Sequence, residues 1–152
     1  MRSLLTMFFA AGLATVPAFA GALTLQADDP STNREAMAKN AVVTAHITAC
    51  HSPEKTVVTA TAEGIVNGKH QTISLKVIRL SEPGSFAVAR EWPHGGIWTV
   101  KMIATNPDYK DYATSIVVPV GGHAANRASA KVFYHAASAD EVDSVLKQVT
   151  LE

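Results

Sequence analysis

The stretch from Val57 to Ile78 constrains this chain most, because two independent signals in it specify one strand register. A run rich in β-branched residues, Val57-Val58-Thr59-Ala60-Thr61-Ala62, leads to Asn67-Gly68 and returns as Thr72-Ile73-Ser74-Leu75-Lys76-Val77. Asn-Gly favours a two-residue type I′ turn, which needs positive φ at both positions. Folding there sets Val66 against Lys69, Ala62 against Ile73, Ala60 against Leu75 and Val58 against Val77. Thr61 then meets Ser74, Glu63 meets Thr72 and Thr59 meets Lys76. One face is apolar and the other polar, and a slip of one residue would destroy that agreement. A half-buried antiparallel sheet is the consequence.

The segments on either side repeat the pattern. Val43, Ala45 and Ile47 alternate with Thr44, His46 and Thr48, so Ala41 to Ala49 reads as a strand, broken by Cys50-His51-Ser52-Pro53. Ser81-Glu82-Pro83-Gly84 is a turn, after which Phe86, Val88 and Trp92 share one side of a strand, with Arg90 the exception. Trp98, Val100, Met102 and Ala104 form one apolar face of Ile97 to Thr105, and Tyr112 to Val120 is rich in Ile and Val. Lys131 to Tyr134 adds a short strand. Ser138 and Glu141 then form a capping box, and Val142, Val145, Leu146 and Val149 fall at i, i+3, i+4 and i+7 of a C-terminal helix. The expected fold is mainly β: an antiparallel immunoglobulin-like β-sandwich of six to seven strands with a C-terminal α-helix docked on it.

Residues 1–20 read as a secretory signal peptide: Arg2, a mostly apolar run from Leu4 to Val16, and Ala18-Phe19-Ala20 as the cleavage site. Residues 21–40 read as a polar linker with a turn cluster at Asp28-Asp29-Pro30-Ser31, residues 41–136 as the sandwich and residues 137–152 as the helix. The full chain carries 13 basic and 13 acidic residues, and Arg2 leaves with the leader, so the mature protein is one negative charge from neutral. Such a scattered balance supplies no field for nucleic acid or anionic lipid. After cleavage no apolar run is long enough to span a bilayer, which places the mature chain in the periplasm or outside the cell without a membrane anchor. The chain holds a single cysteine, so no disulfide forms within it and the fold stands on its hydrophobic core.

Pro83-Gly84-Ser85-Phe86, Trp92-Pro93 and Gly96-Ile97-Trp98 resemble the Pro-Gly-x-aromatic and Gly-x-Trp strands of exported bacterial immunoglobulin-like sandwiches, the YtkA-like and FixH-like domains. The resemblance spans roughly Ala41 to Val120. It implies a small periplasmic or cell-surface module, and some members of those groups are associated with copper handling.

An enzyme needs a constellation, and the sequence has no Gly-x-Ser-x-Gly elbow, no His-Glu-x-x-His and no phosphate loop. Adjacent residues on a strand point to opposite faces, so His51 is poorly placed to activate Cys50. The expectation is a non-catalytic binding or assembly module for an envelope protein or surface component, with no cofactor. The alternative is a copper-binding protein using Cys50 and His51, since thiolate and imidazole suit copper and a loop beside Pro53 can turn both inward. His46 shares a face with Cys50 but lies four residues along, about 13 Å at the usual strand rise, too far for one metal. Trp92 and His94, at the loop Pro93-His94-Gly95-Gly96, form a candidate ligand platform, whereas Trp98 belongs in the core.

Overall fold

A computed structural model describes residues 23–48, 52–108, 112–121 and 124–149. Its strands are β1 (Thr24–Asp28), β2 (Ala41–Thr48), β3 (Val57–Val66), β4 (Lys69–Leu75), β5 (Val77–Arg79), β6 (Ser85–Ala89), β7 (Ile97–Thr105), β8 (Ala113–Gly121), β9 (Ala124–Ala125) and β10 (Lys131–Phe133). The helices are α1 (Arg34–Ala38) and α2 (Ala139–Val149). One sheet has the order β1-β2-β6-β5 and the other β10-β8-β7-β3-β4, with β9 on β8 and every pairing antiparallel. The first eight strands thus follow the immunoglobulin arrangement, with the first, second, fifth and sixth in one layer. The larger strand count than expected comes from β1 and β9 and from the division of the hairpin's second arm.

The hairpin register holds from Val66↔Lys69 to Ala60↔Leu75, with Asn67 at φ 50° and Gly68 at φ 74° as a type I′ turn demands. Beyond Leu75 the expected pairs Val58–Val77 and Thr59–Lys76 are not formed. The chain crosses to the other sheet at Lys76: Val77 pairs with Val88 of β6, while Val58 and Thr59 pair only with Ala104 and Ile103 of β7. The crossing preserves parity, because Leu75 points inward from one sheet and Val77 inward from the other, toward one core. An alternating pattern reads the same whether a strand continues or changes layer.

Between the layers, Leu25, Val43, Ala45, Ile47, Phe86 and Val88 of one sheet meet Ala60, Ala62, Leu75, Trp98, Val100, Met102, Ile116 and Val118 of the other, all buried. The apolar face of β7 is the one its alternation predicts, whereas β8 is buried on both faces, Ile116, Val118 and Val120 toward the core and Val117 toward α2. On the outward face of the larger sheet, Lys101 and Glu63 form an ion pair at 2.6 Å, with side chains about one-sixth exposed.

Gly64 is required by this packing. It lies opposite Trp98 in the β3–β7 register, and a Cβ there would run into the indole Cε3 and come within 2.6 Å of the Ile97 carbonyl oxygen. Gly64→Ala is expected to lower stability by about 1–3 kcal/mol, the usual penalty for forcing atoms into a filled core. Urea denaturation reads this directly, and an unchanged midpoint would refute the close approach.

The segment 21–40 is not a linker over its described part. Leu23 and Leu25 are buried, β1 pairs with β2 along its whole length, and Ala36 of α1 packs against Leu80 and Ala87 on the outer face of the smaller sheet. The signal was present: Leu23, Leu25 and Ala27 alternate with Thr24, Gln26 and Asp28, and the polar composition of the following turns masked it. Two side-chain caps order those turns, Asp29 accepting from the Ser31 N–H and Asn33 from the Ala36 N–H.

Helix α2 docks Val142 and Val145, together with Ala137, on Val117 of β8. Its capping box is complete: the Ser138 N–H donates to Glu141 Oε2 at 2.8 Å and the Glu141 N–H to Ser138 Oγ at 3.3 Å. The Ser138 backbone donor, followed by the His135 ring, holds the Glu141 carboxyl below the usual glutamate range. A depressed carboxyl stabilises the fold above its unfolded pKa, and that contribution is lost as pH falls through its folded value. The melting temperature of Glu141→Gln should therefore converge on that of the parent chain as pH falls below about 4, after lying beneath it near neutrality. A constant gap across that range would contradict the charged cap.

Candidate functional site

The two ends of the sandwich are built differently. At the end where β2 finishes and β3 begins, Asn106, almost fully buried, donates through Nδ2 to the Ser52 carbonyl at 3.0 Å and to Thr56 Oγ1 at 3.2 Å, and Lys55 pairs with Asp108 at 2.9 Å. These contacts tie the turn before β3 to the residues that follow β7. Cys50 and His51, the sequence's metal candidates, lie outside the described residues. Among the described residues no group of three or more His, Cys, Asp or Glu side chains is placed to hold a metal ion. The described histidines have separate local roles. His46 Nδ1 meets Ser85 Oγ at 3.0 Å because the two are cross-strand partners, His135 Nε2 lies 3.0 Å from Glu141 at the helix cap, and His70 lies 3.7 Å from Asp143.

The opposite end is open. There the loop between β6 and β7 is fixed by its own aromatic residues. Trp98 is buried, and its Nε1–H donates to the Gly95 carbonyl at 2.7 Å. Trp92 is also buried, only 4% exposed, with its ring centroid 6.2 Å from that of Trp98 at a tilt of 37°. Arg90 lies 5.1 Å over the Trp92 ring. Gly95 and Gly96 take φ of 97° and 77°, and a Cβ on Gly96 would come within 2.6 Å of the Ile65 carbonyl oxygen, so the loop lies directly on the end of β3.

The ligand platform expected at Trp92 and His94 is thereby corrected. Both indoles are core, because Trp92 completes the apolar side begun by Phe86 and Val88; only His94 stays exposed. Among the described residues the buried Trp92 Nε1–H has no hydrogen-bond partner.

His94 and Arg90 instead form one wall of a cleft of about 550 Å³. Asp29, Pro30, Ser31, Met37 and Asn40 of the N-terminal segment, Ala41 and Val42 at the start of β2, and Ala125 and Arg127 from β9 and the turn after it complete the lining. Arg127 Nη2 reaches Asp29 Oδ2 at 3.3 Å. The Ser31 backbone donor chiefly, then the Ser31 hydroxyl, and least of all Arg127 hold the Asp29 carboxyl below its ordinary pKa. Met37, which lines the cleft, is 49% exposed.

Sequence reasoning did not find this site, since most of one wall falls in the segment read as linker. Asp29-Pro30, a cap followed by a residue fit for the first helical position, and Asn33 three residues before Ala36 were the available signals. Arg127 carried none beyond its charge.

Fold and cleft together define an immunoglobulin-like β-sandwich with an open, mixed-charge concavity at one end. No protein family matches the chain, and neither a curated protein nor a solved structure does.

Proposed function

We propose that this chain is an exported, non-catalytic binding or assembly module of the cell envelope, and that it engages its partner at the cleft between the N-terminal segment and the β6–β7 loop. The observation that supports this reading most is the rigid framing of that cleft. The loop that bears His94 is anchored by two buried indoles and two positive-φ glycines, so its surface is preformed rather than assembled on binding. A volume of about 550 Å³ is also within the ordinary span of ligand sites. The clusters that resemble catalytic sets have structural explanations: Ser85 and His46 are cross-strand neighbours, and Ser138, Glu141 and His135 make a helix cap.

Site-specific photo-crosslinking in the producing cell tests the reading. A crosslinking residue at Met37 should capture an envelope component, and one at Val57, exposed at the far end of β3, should not. Equal capture at both positions would remove the cleft from the function. Export carries its own check, because intact-mass analysis of the recovered protein should give a chain beginning at Gly21, and retention of Met1 to Ala20 would refute the leader.

A further inference from the structure

We propose that the cleft recognises an organic carboxylate, a small molecule with one anionic head and an apolar body, an inference that rests on the cleft being the binding site. The charge of its lining differs from that of the whole chain. The sequence balances 13 basic against 13 acidic residues, yet the cleft gathers Arg90, Arg127 and His94 around a single acid, Asp29. These two arginines and the histidine come from the β6–β7 loop and from the turn after β9, and only the fold brings them together. Guanidinium groups bind carboxylates through paired, charge-assisted hydrogen bonds.

The cleft already contains an example of that recognition. Asp29 presents a carboxylate to Arg127 through one contact of 3.3 Å, with both side chains near half exposed, at 40% and 47%. A pair so long and so wet contributes little to stability, so an incoming carboxylate can replace Asp29 on Arg127 at small cost. The remaining lining fixes the rest of the ligand. Met37, Pro30, Ala41, Val42 and Ala125 offer an apolar surface beside the charged groups. Met37 is flexible enough to close on an aliphatic or aromatic body, which would bury the exposure it now carries. A purely inorganic anion would leave that surface uncovered.

Asp29 is then an internal competitor, and this gives substitutions of opposite sign. Asp29→Asn keeps an acceptor for the Ser31 N–H and so keeps the turn, while removing the competing charge. With octanoate as the probe, followed by amide chemical-shift titration of the full mature chain, Asp29→Asn should tighten binding several-fold. Arg127→Gln should weaken it about tenfold or more, the worth of a charge-assisted hydrogen bond. Octan-1-ol and acetate, each with half of the ligand's chemistry, should both bind far more weakly than octanoate.

Equal binding of octanoate and octan-1-ol would overturn the proposal, as would weakening by both substitutions, which would mean that the Asp29–Arg127 pair only holds the walls in place. If octanoate does not bind while the Met37 crosslinker captures a macromolecular partner, the binding module stands and the carboxylate inference fails. Octanoate binding with the stated signs, without any such capture, supports the carboxylate site and removes the macromolecular partner.

Discussion

Trp98→Ala should destabilise the domain by about 3–5 kcal/mol, the range for deleting a large aromatic from a filled core. Trp98 is 1% exposed and lies near the start of β7 on the larger sheet's inner face. Three things are lost together: its packing against both layers, the 6.2 Å ring contact with Trp92 and the hydrogen bond to the Gly95 carbonyl. Against a typical stability of about 5–15 kcal/mol, such a loss leaves a marginal protein. Urea denaturation measures the cost. A double-mutant cycle adds the specific content, because Gly64→Ala is harmful through its collision with the Trp98 ring. With the ring gone, its collision with the new methyl group is relieved while the 2.6 Å approach to the Ile97 carbonyl oxygen remains, so the two substitutions together should cost less than their sum but more than Trp98→Ala alone. Additive costs would mean that Gly64 is needed for another reason. The substitution also removes the anchor of the loop that bears His94, so carboxylate binding at the cleft should weaken even where the variant remains folded.

That coupling between core and cleft explains what was legible in the chain and what was not. The inward faces of β3 and β7 could be read because burial on one side of a sheet imposes a period of two, and Trp98, Val100, Met102 and Ala104 obey it without exception. The C-terminal helix was legible for the same reason with a different period, reinforced by the chemistry of Ser138 and Glu141. The end of the hairpin was misread because Ile73, Leu75 and Val77 keep their alternation while the chain changes sheets, and period alone carries no information about which partner strand lies alongside. Trp92 was left to both core and surface because a residue before proline at a strand end has no periodic neighbour beyond it.

The cleft was least legible. Its residues, Asp29, Met37, Arg90, His94 and Arg127, are drawn from segments far apart in the chain, and nothing local requires an arginine in a turn after β9 to face an aspartate after β1. Cap residues at Asp29 and Asn33 announced turns, not a wall. Sequence periodicity reports burial; convergence of charged side chains depends on topology, which the strand pattern leaves open until the order of strands in each sheet is known.

Leu75→Ala is expected to cost about 2–5 kcal/mol, and its neighbour Lys76→Ala less than about 0.5 kcal/mol. Leu75 is the last residue of β4, paired with Ala60 and 8% exposed. Small side chains at Ala60 and Ala62 leave the volume beside it for the leucine to fill, so truncation opens a cavity that neither neighbour can occupy. Lys76 has an exposed side chain, and what it contributes is its backbone: the N–H donates to a Glu91 carboxylate oxygen at 3.3 Å as the chain passes between sheets. Alanine preserves that donor, whereas proline removes it and fixes φ at the crossing. The expected order of urea midpoints is therefore parent chain and Lys76→Ala together, with Leu75→Ala well below. A large loss at Lys76→Ala with little at Leu75→Ala would mean that the residues around the crossing face the other way, and the inward face assigned to the hairpin's second arm would be wrong with it. The comparison is sharp because adjacent residues share one local environment in the unfolded chain, and only the inward or outward direction of the side chain separates them.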